Sequence, residues 1–440
     1  MFRPAMARFG RLPDFARNAL ISFPVRISGL FLQLISSIIL ARLLGVTEFG
    51  VYSYAFVWAT ILGLFLSAGL DQLGLRELPR FIAQPDAASL VGFLLAIFGT
   101  IAVSAILIGG ILWYLQSREF FALGPGWLLI AGVALTHALA LSFANIHGGF
   151  QKILTAQVME NLPKQVLFLI LIVSAAVAGL SLDAQNTFTL YLLSIAPILA
   201  ISAWIALRET RRSTGIYWPP RLQMRFWYAA SLPMALTGAA TFVNTNLDIL
   251  MVGTMLGDVD TGIYRAASRA AALAAIFQMV ALRVLGPMLS RAIAQDDYKG
   301  AQRLLAYSAG FASAAGGVFC LLLVTIARPY LGLFGAEFTA GVAALNILVI
   351  AQTLILPLGA VALLATFKGH ERAVFLANMA GLAFNFALNF LLIQWIGIEG
   401  AAISTGLTLL AVNGGLLIFI RRKTPLDPTI LSTLRLFRAR

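Results

Sequence analysis

The chain is a succession of apolar runs, with no polar stretch between them large enough to fold by itself. A membrane-spanning helix needs about 20 mostly apolar residues. Runs of that kind, broken by Gly, Pro and charge, fall at residues 18–44, 49–70, 90–115, 125–147, 153–180, 187–207, 226–256, 262–289, 304–326, 340–367, 373–396 and 398–420. Composition agrees. Of 440 residues, 60% are hydrophobic and 11% charged, against about 45–50% and about 25% in ordinary soluble domains. An all-α integral membrane protein of twelve transmembrane helices is expected, and a water-soluble enzyme is excluded. The lone Cys320 gives no disulfide framework. The basic, amphipathic start leads into the first run without a small-residue cleavage site, so it reads as retained.

Orientation follows from the basic residues. With the N-terminus inside, segments on that side hold 23 Lys and Arg, and the outside loops hold two, Arg118 and Arg328. Cytoplasmic loops keep positive charge, so both termini are expected in the cytoplasm. Most of the net charge of +13 is then a topological label, and no nucleic-acid partner is expected. Trp113, Trp127 and Trp395 fall at outer ends and Trp204 and Trp227 at inner ends, as an interfacial aromatic belt would. At the C-terminus, Arg435, Arg438 and Arg440 alternate with Leu431, Leu434 and Phe437. That pattern suits a helix lying on anionic lipid or a disordered basic tail.

The sequence repeats itself. Leu44-Gly45, four residues and Gly50-Val51-Tyr52 match Leu256-Gly257, four residues and Gly262-Ile263-Tyr264 at an offset of 212. Arg80-Phe81-Ile82-Ala83-Gln84 matches Arg291-Ala292-Ile293-Ala294-Gln295 at an offset of 211. Each half reads as helix, tight outer turn, helix, basic inner loop. Six spans separate the copies, so they run parallel, and two lobes of six helices are expected, 1–215 and 216–440. Such repeats recur in secondary transporters, with the substrate near the midplane.

The stretch ISSIILARLLGVTEFGVYSYAF with GLDQLGLREL, then LDILMVGTMLGDVDTGIYRAASR and GIEGAAIST, resembles the polysaccharide-transporter branch of the multidrug/oligosaccharidyl-lipid/polysaccharide (MOP) flippase superfamily. The resemblance covers essentially the whole chain. It implies a V-shaped, MATE-like pair of lobes around a central cavity in the bacterial inner membrane. It also implies translocation of an undecaprenyl-diphosphate-linked oligosaccharide (an O-antigen, capsule or exopolysaccharide unit) from the inner to the outer leaflet by alternating access. The partners so implied are that polyprenyl-diphosphate-linked glycan, membrane lipids and glycan polymerase or assembly proteins.

Six basic residues fall within the spans, Arg26, Arg42, Lys164, Arg265, Arg269 and Arg283, against two acids, Glu160 and Asp248. A charge facing lipid costs about 2.5–3.5 kcal/mol on insertion scales, so such groups seek a cavity or a partner. Arg265 and Arg283 are 18 residues apart, which is five helical turns, and Arg269 lies about 40° off their line. Guanidinium binds phosphate in a bidentate fork, so this ladder suits a diphosphate, although Arg283 and the outer pair could also snorkel to the interfaces. Arg26, two residues after Pro24, would reach the same cavity through a bent first helix. Asp248 stands near the depth of Arg269 and could form an ion pair or serve a coupling ion, H+ or Na+. No other cofactor is expected.

Asn378, Asn385 and Asn389 share a helix face and could bind sugar or glue two helices. Glu160 and Lys164, one turn apart, read as an intrahelical pair. His137 and His147 lie about 80° apart on one helix, so no metal site is expected, and no catalytic motif is present. Two other readings stay open. A drug or cation antiporter of the same superfamily should have a more acidic cavity. A membrane-embedded glycan polymerase or ligase needs a large extramembrane loop, whereas the longest outside loop here is about 13 residues.

Overall fold

The computed structural model describes residues 14–118, 124–215 and 217–432, with side chains from Pro24 onward. The amphipathic start and the basic tail beyond 432 lie outside the described residues. Among those described every element is helical: α1 (Asp14–Leu66), α2 (Leu70–Ala83), α3 (Ala87–Ser117), α4 (Trp127–Gly149), α5 (Ile153–Asn161), α6 (Pro163–Val177), α7 (Ala184–Ser213), α8 (Met224–Met255), α9 (Asp258–Ala294), α10 (Tyr298–Thr325), α11 (Ala327–Gly332), α12 (Val342–Ile355), α13 (Val361–Phe367) and α14 (Glu371–Arg421).

Among the described residues, ten helices are long and apolar enough to cross a bilayer. Two of them each cover two of the spans expected from sequence. α1 has 53 residues but kinks at Gly45, where φ is 76° and ψ 175°. α14 has 51 and kinks at Ile396 and Gly397, with φ 63° at the glycine. A Cβ would resist both glycine conformations. Elsewhere, prolines cut the expected spans. Pro163 starts α6 one residue after the break that ends α5, a position where its missing N–H costs nothing. The run at 340–367 is not one helix: Pro357 lies in a 3₁₀ turn after α12, and Gly359 turns with φ 71° before α13.

Packing divides the chain into two compact units, one reaching to Phe242 and one starting at Val243. The division falls inside α8. The first unit buries Leu66, Leu70, Leu78, Leu90, Phe93, Ile97, Ile146 and Trp227. The second buries Leu285, Leu289, Leu305, Val361, Leu364, Leu416, Ile420 and Leu426. Trp227 therefore leaves the aromatic belt expected of it; its ring packs edge-on to Phe93 at 5.0 Å. Trp113 and Trp204 are exposed and Trp395 is 82% exposed, as belt residues should be.

The repeat holds at the level of backbone hydrogen bonds. Gly45 and Gly257 have nearly the same conformation, φ 76° with ψ 175° and φ 97° with ψ −169°. Gln84 and Gln295 close their helices by donating to the carbonyls of Arg80 (3.0 Å) and Arg291 (3.1 Å). Next, the amides of Asp86 and Asp297 donate to Phe81 (3.1 Å) and Ala292 (2.9 Å). Asp86 then accepts from the Ser89 amide, and Asp297 from the Gly300 amide, at 3.0 and 2.8 Å, so each caps the following helix. The Ser89 amide, then its hydroxyl and Arg221, hold the Asp86 carboxyl below the usual carboxylate range.

One element was absent from the expected plan. Residues 71–89 read as an inner loop, yet α2 is an amphipathic helix. α1 ends at Leu66, Ala68 and Gly69 take φ of 49° and 75°, and the chain restarts as α2. A Cβ on Gly69 would collide with the carbonyl oxygen of Ser231 on α8.

Candidate functional site

In the second unit, α9 runs unbroken from Asp258 to Ala294. Arg265, Arg269 and Arg283 therefore share one face over about 27 Å, at roughly 1.5 Å per residue. Arg265 and Arg269 are half-buried and Arg283 is exposed. The opposite side of the same helix buries Tyr264 with Ala267, Ala270 and Ala274, and the alanines let neighbouring helices approach closely.

Asp248 is buried beside this ladder. The Tyr264 hydroxyl donates to one carboxylate oxygen at 2.6 Å, and the Ile249 amide to the other at 2.9 Å. The arginine whose charge acts on it is Arg265, whereas Arg269 acts on Tyr330 of α11. Asp248 stands nine residues before the Gly257 turn and Arg265 eight after it, whereas Arg269 stands twelve after.

The asparagine stripe divides. Asn378 is exposed. Asn389, 0% exposed, donates to Asn385 Oδ1 at 2.9 Å, and Asn385 donates to Thr408 Oγ1 at 3.2 Å. Both lie in a seam between the two halves of α14, where Val412 also crowds Gly381. Asn385 and Asn389 thus tie the two halves of α14 together, as helix glue would.

In the first unit, Arg26 is exposed on α1. One turn further on, Gly29 packs against Asn161 at the α5–α6 break, where an added Cβ would lie 3.1 Å from that side chain. The break also separates Glu160 from Lys164, so they do not form an intrahelical pair, though Glu160 remains the charge acting on Lys164. Lys164 acts in turn on His137 of α4, whereas His147 has Glu209 as its charged neighbour. The two histidines do not meet. Among the described residues no three of His, Cys, Asp and Glu converge as a metal site would require.

Sequence reasoning missed a polar network around α2. Asp71 is 1% exposed; Ser67 donates to one of its oxygens at 2.5 Å and Asn145 Nδ2 to the other at 2.8 Å. Glu77, 3% exposed, accepts from Arg76 Nε at 2.9 Å and has Arg80 at 3.7 Å. In front of these acids lies a cleft of 640 Å³, lined by Gln72, Leu75, Arg76, Leu141, Asn145 and Met234. The helical spacing of Leu70, Leu73, Leu78 and Phe81 was the available signal for α2. Nothing in the sequence placed Asn145 beside it.

Comparison with known proteins fits this architecture. Residues 15–293 match the family model described as polysaccharide biosynthesis protein. The EPS I polysaccharide export inner membrane protein EpsE of Ralstonia solanacearum is 34% identical over 125 residues, 27% of each chain. The match thus spans about a quarter of that relative. A multidrug resistance MATE family transporter of the MOP superfamily, solved inward-facing, superposes with a TM-score of 0.72 at 14% identity, covering 92% of this chain and 98% of that one. Lipid II flippase MurJ, in an inward closed conformation, gives 0.69 at 13% identity over 91% and 87%. The resemblance seen in the sequence is therefore real: this multi-pass membrane protein has the fold of the MOP transporters, and it belongs to the polysaccharide biosynthesis protein family.

Proposed function

We propose that the protein is a flippase that carries a polyprenyl-diphosphate-linked oligosaccharide from the inner to the outer leaflet of the bacterial cytoplasmic membrane by alternating access. The observation that carries this reading is the unbroken α9, which sets three guanidiniums along one face at membrane depth. A charge at membrane depth is costly enough that it faces a cavity or a partner, and a lipid diphosphate is the anion that the family's chemistry would bring to such a cavity. The chain would cross twelve times, six in each of 1–215 and 216–440. Both termini would be cytoplasmic, as 23 basic residues inside against two outside support. The polysaccharide export inner membrane protein and the lipid II flippase among its relatives support the substrate class and the membrane.

Arg265 and Arg269 would grip the diphosphate toward the outer end, with Arg283 and Arg26 serving nearer the cytoplasm. Asp248 is read as a structural acid, because Tyr264 and Ile249 engage both its oxygens. If a proton or sodium gradient drives the cycle, Asp248→Asn should leave that dependence unchanged.

Transport of a fluorescent lipid-linked oligosaccharide in proteoliposomes tests the site. Each charge-assisted contact to phosphate is worth about 1.5–3 kcal/mol, so Arg269→Ala should slow transport by roughly 10–100-fold. Lysine should rescue poorly, since it lacks the bidentate fork. Wild-type rates in both Arg265→Ala and Arg269→Ala would sink the assignment.

A further inference from the structure

The two copies of the repeat differ at one place, and the difference marks a second site. Counting back from the shared Gln84 and Gln295 caps, α2 aligns with residues 281–294 of α9. Four positions are buried in both, Leu70 with Ala281, Gly74 with Leu285, Leu78 with Leu289 and Phe81 with Ala292. These core positions hold the helix in either unit. Other positions diverge. Asp71 stands where the second unit has Leu282, and Glu77 where it has Met288. Gln72 stands at the place of Arg283, the inner rung of the arginine ladder.

A buried carboxylate is costly unless it is paired and hydrogen-bonded, and the second unit builds the same helix without either acid. Packing alone thus gives no reason for Asp71 and Glu77. Their partners do. Asp71 holds the Asn145 amide by its NH2 end, which leaves Asn145 Oδ1 as an acceptor, and Glu77 holds Arg76 by Nε, which leaves the fork of that guanidinium. Gln72 is wedged beside α8, where a Cβ on Gly238 would lie 2.9 Å from its amide nitrogen. Three oriented polar groups thus line one side of the 640 Å³ cleft, and Leu75, Leu141 and Met234 complete it.

We propose that this cleft binds the saccharide of the lipid-linked substrate through its hydroxyl groups. It rests on the flippase reading above for the source of that sugar. The charges favour a neutral ligand over an anion: Arg76 and Arg80 both lie against Glu77, and the second acid, Asp71, is buried on Ser67 and Asn145. Amide and guanidinium groups offer both donors and acceptors to hydroxyls. The apolar wall accepts the C–H face of a sugar ring. A mostly apolar cleft with a few fixed polar groups is the usual form of a small-molecule site. The division of labour follows from the repeat. At one and the same register the second unit places an arginine for phosphate and the first an amide for hydroxyls.

Binding to the purified full-length protein in nanodiscs decides the matter. The probes are the oligosaccharide released by mild acid from the producing cell's own polyprenyl-linked pool, and inorganic pyrophosphate. Gln72→Ala should weaken the oligosaccharide about tenfold, the equivalent of a well-placed hydrogen bond. Leu141→Trp, which fills the cleft without touching the polar network, should abolish it. Pyrophosphate binding should survive both changes, which also reports that the protein is folded, and should fall in Arg269→Ala. Oligosaccharide affinity unchanged in both cleft variants, or none in the wild type, would overturn the cleft site while transport upheld the flippase reading. Loss of pyrophosphate binding in Gln72→Ala would make the cleft an anion site and overturn the proposal. Saturable sugar binding without transport of any lipid-linked glycan would remove the flippase reading and leave the cleft.

Discussion

α2 and the inner third of α9 are the same helix built twice, with different solutions for the positions that flank the shared core stripe. In the first unit two of those positions are buried and carry Asp71 and Glu77, each engaged by neighbouring polar groups. In the second the same two positions carry Leu282 and Met288, the latter 50% exposed. Hydrocarbon tolerates an exposed Met and no unpaired acid; a protein-covered face tolerates an acid if every lone pair finds a donor. A second difference supports the first. The break at Ala68-Gly69 frees α2 from α1, so that Ser67 can turn back onto Asp71, whereas α9 passes the matching position without interruption. The copy that lost helical continuity gained a polar network.

The comparison can be broken most severely at Gly69. Alanine there would need φ near 75° and would collide with the Ser231 carbonyl, so Gly69→Ala should cost about 3 kcal/mol or more. Thermal unfolding in detergent would show a large drop or no folded protein; an unchanged midpoint would mean the break is not needed. Next comes Asp71→Leu, which installs the second unit's residue in the first. It should not be neutral, because Ser67 and Asn145 lose a buried acceptor, at about 2–3 kcal/mol. A neutral result would show that the two faces are interchangeable and would remove the argument for a positioned Asn145.

The smallest effect concerns the helix caps that both copies share. Asp86→Ala and Asp297→Ala should each cost about 1 kcal/mol at neutral pH. Asp86 should cost slightly more, since it also accepts from the Ser89 hydroxyl and pairs with Arg221. Its folded pKa is depressed, so its contribution is present above the unfolded value of about 3.9 and is lost as pH falls through the folded one. The stability gap between wild type and Asp86→Ala should therefore close in acid, and a gap that widened would contradict the cap.

The limits of the sequence can be read from individual residues. The asparagines at 378, 385 and 389 share a face by spacing alone, but only α14 folding back on itself decided that Asn385 meets Thr408. Periodicity placed Arg265 and Asp248 at membrane depth, but the Tyr264 hydroxyl that holds Asp248 was not foreseen. Trp227 looked interfacial because it sits near an inner end, yet α8 carries it into the core against Phe93. The positions of Pro163 and Pro357 signalled breaks; periodic apolarity masked them.

By itself the sequence determined the membrane class, the apolar helices, the repeat and the shared face of the arginine ladder. Each of these depends on residues near one another along the chain: hydropathy over about 20 residues, a helical period, a glycine that a turn requires. Tertiary structure decided which polar groups meet. Asn145 and Asp71 are 74 residues apart, and Tyr228 reaches Thr100 across 128. Such meetings depend on how helices pack, and only packing separates a buried acid that orients a site from one lying in an inner loop.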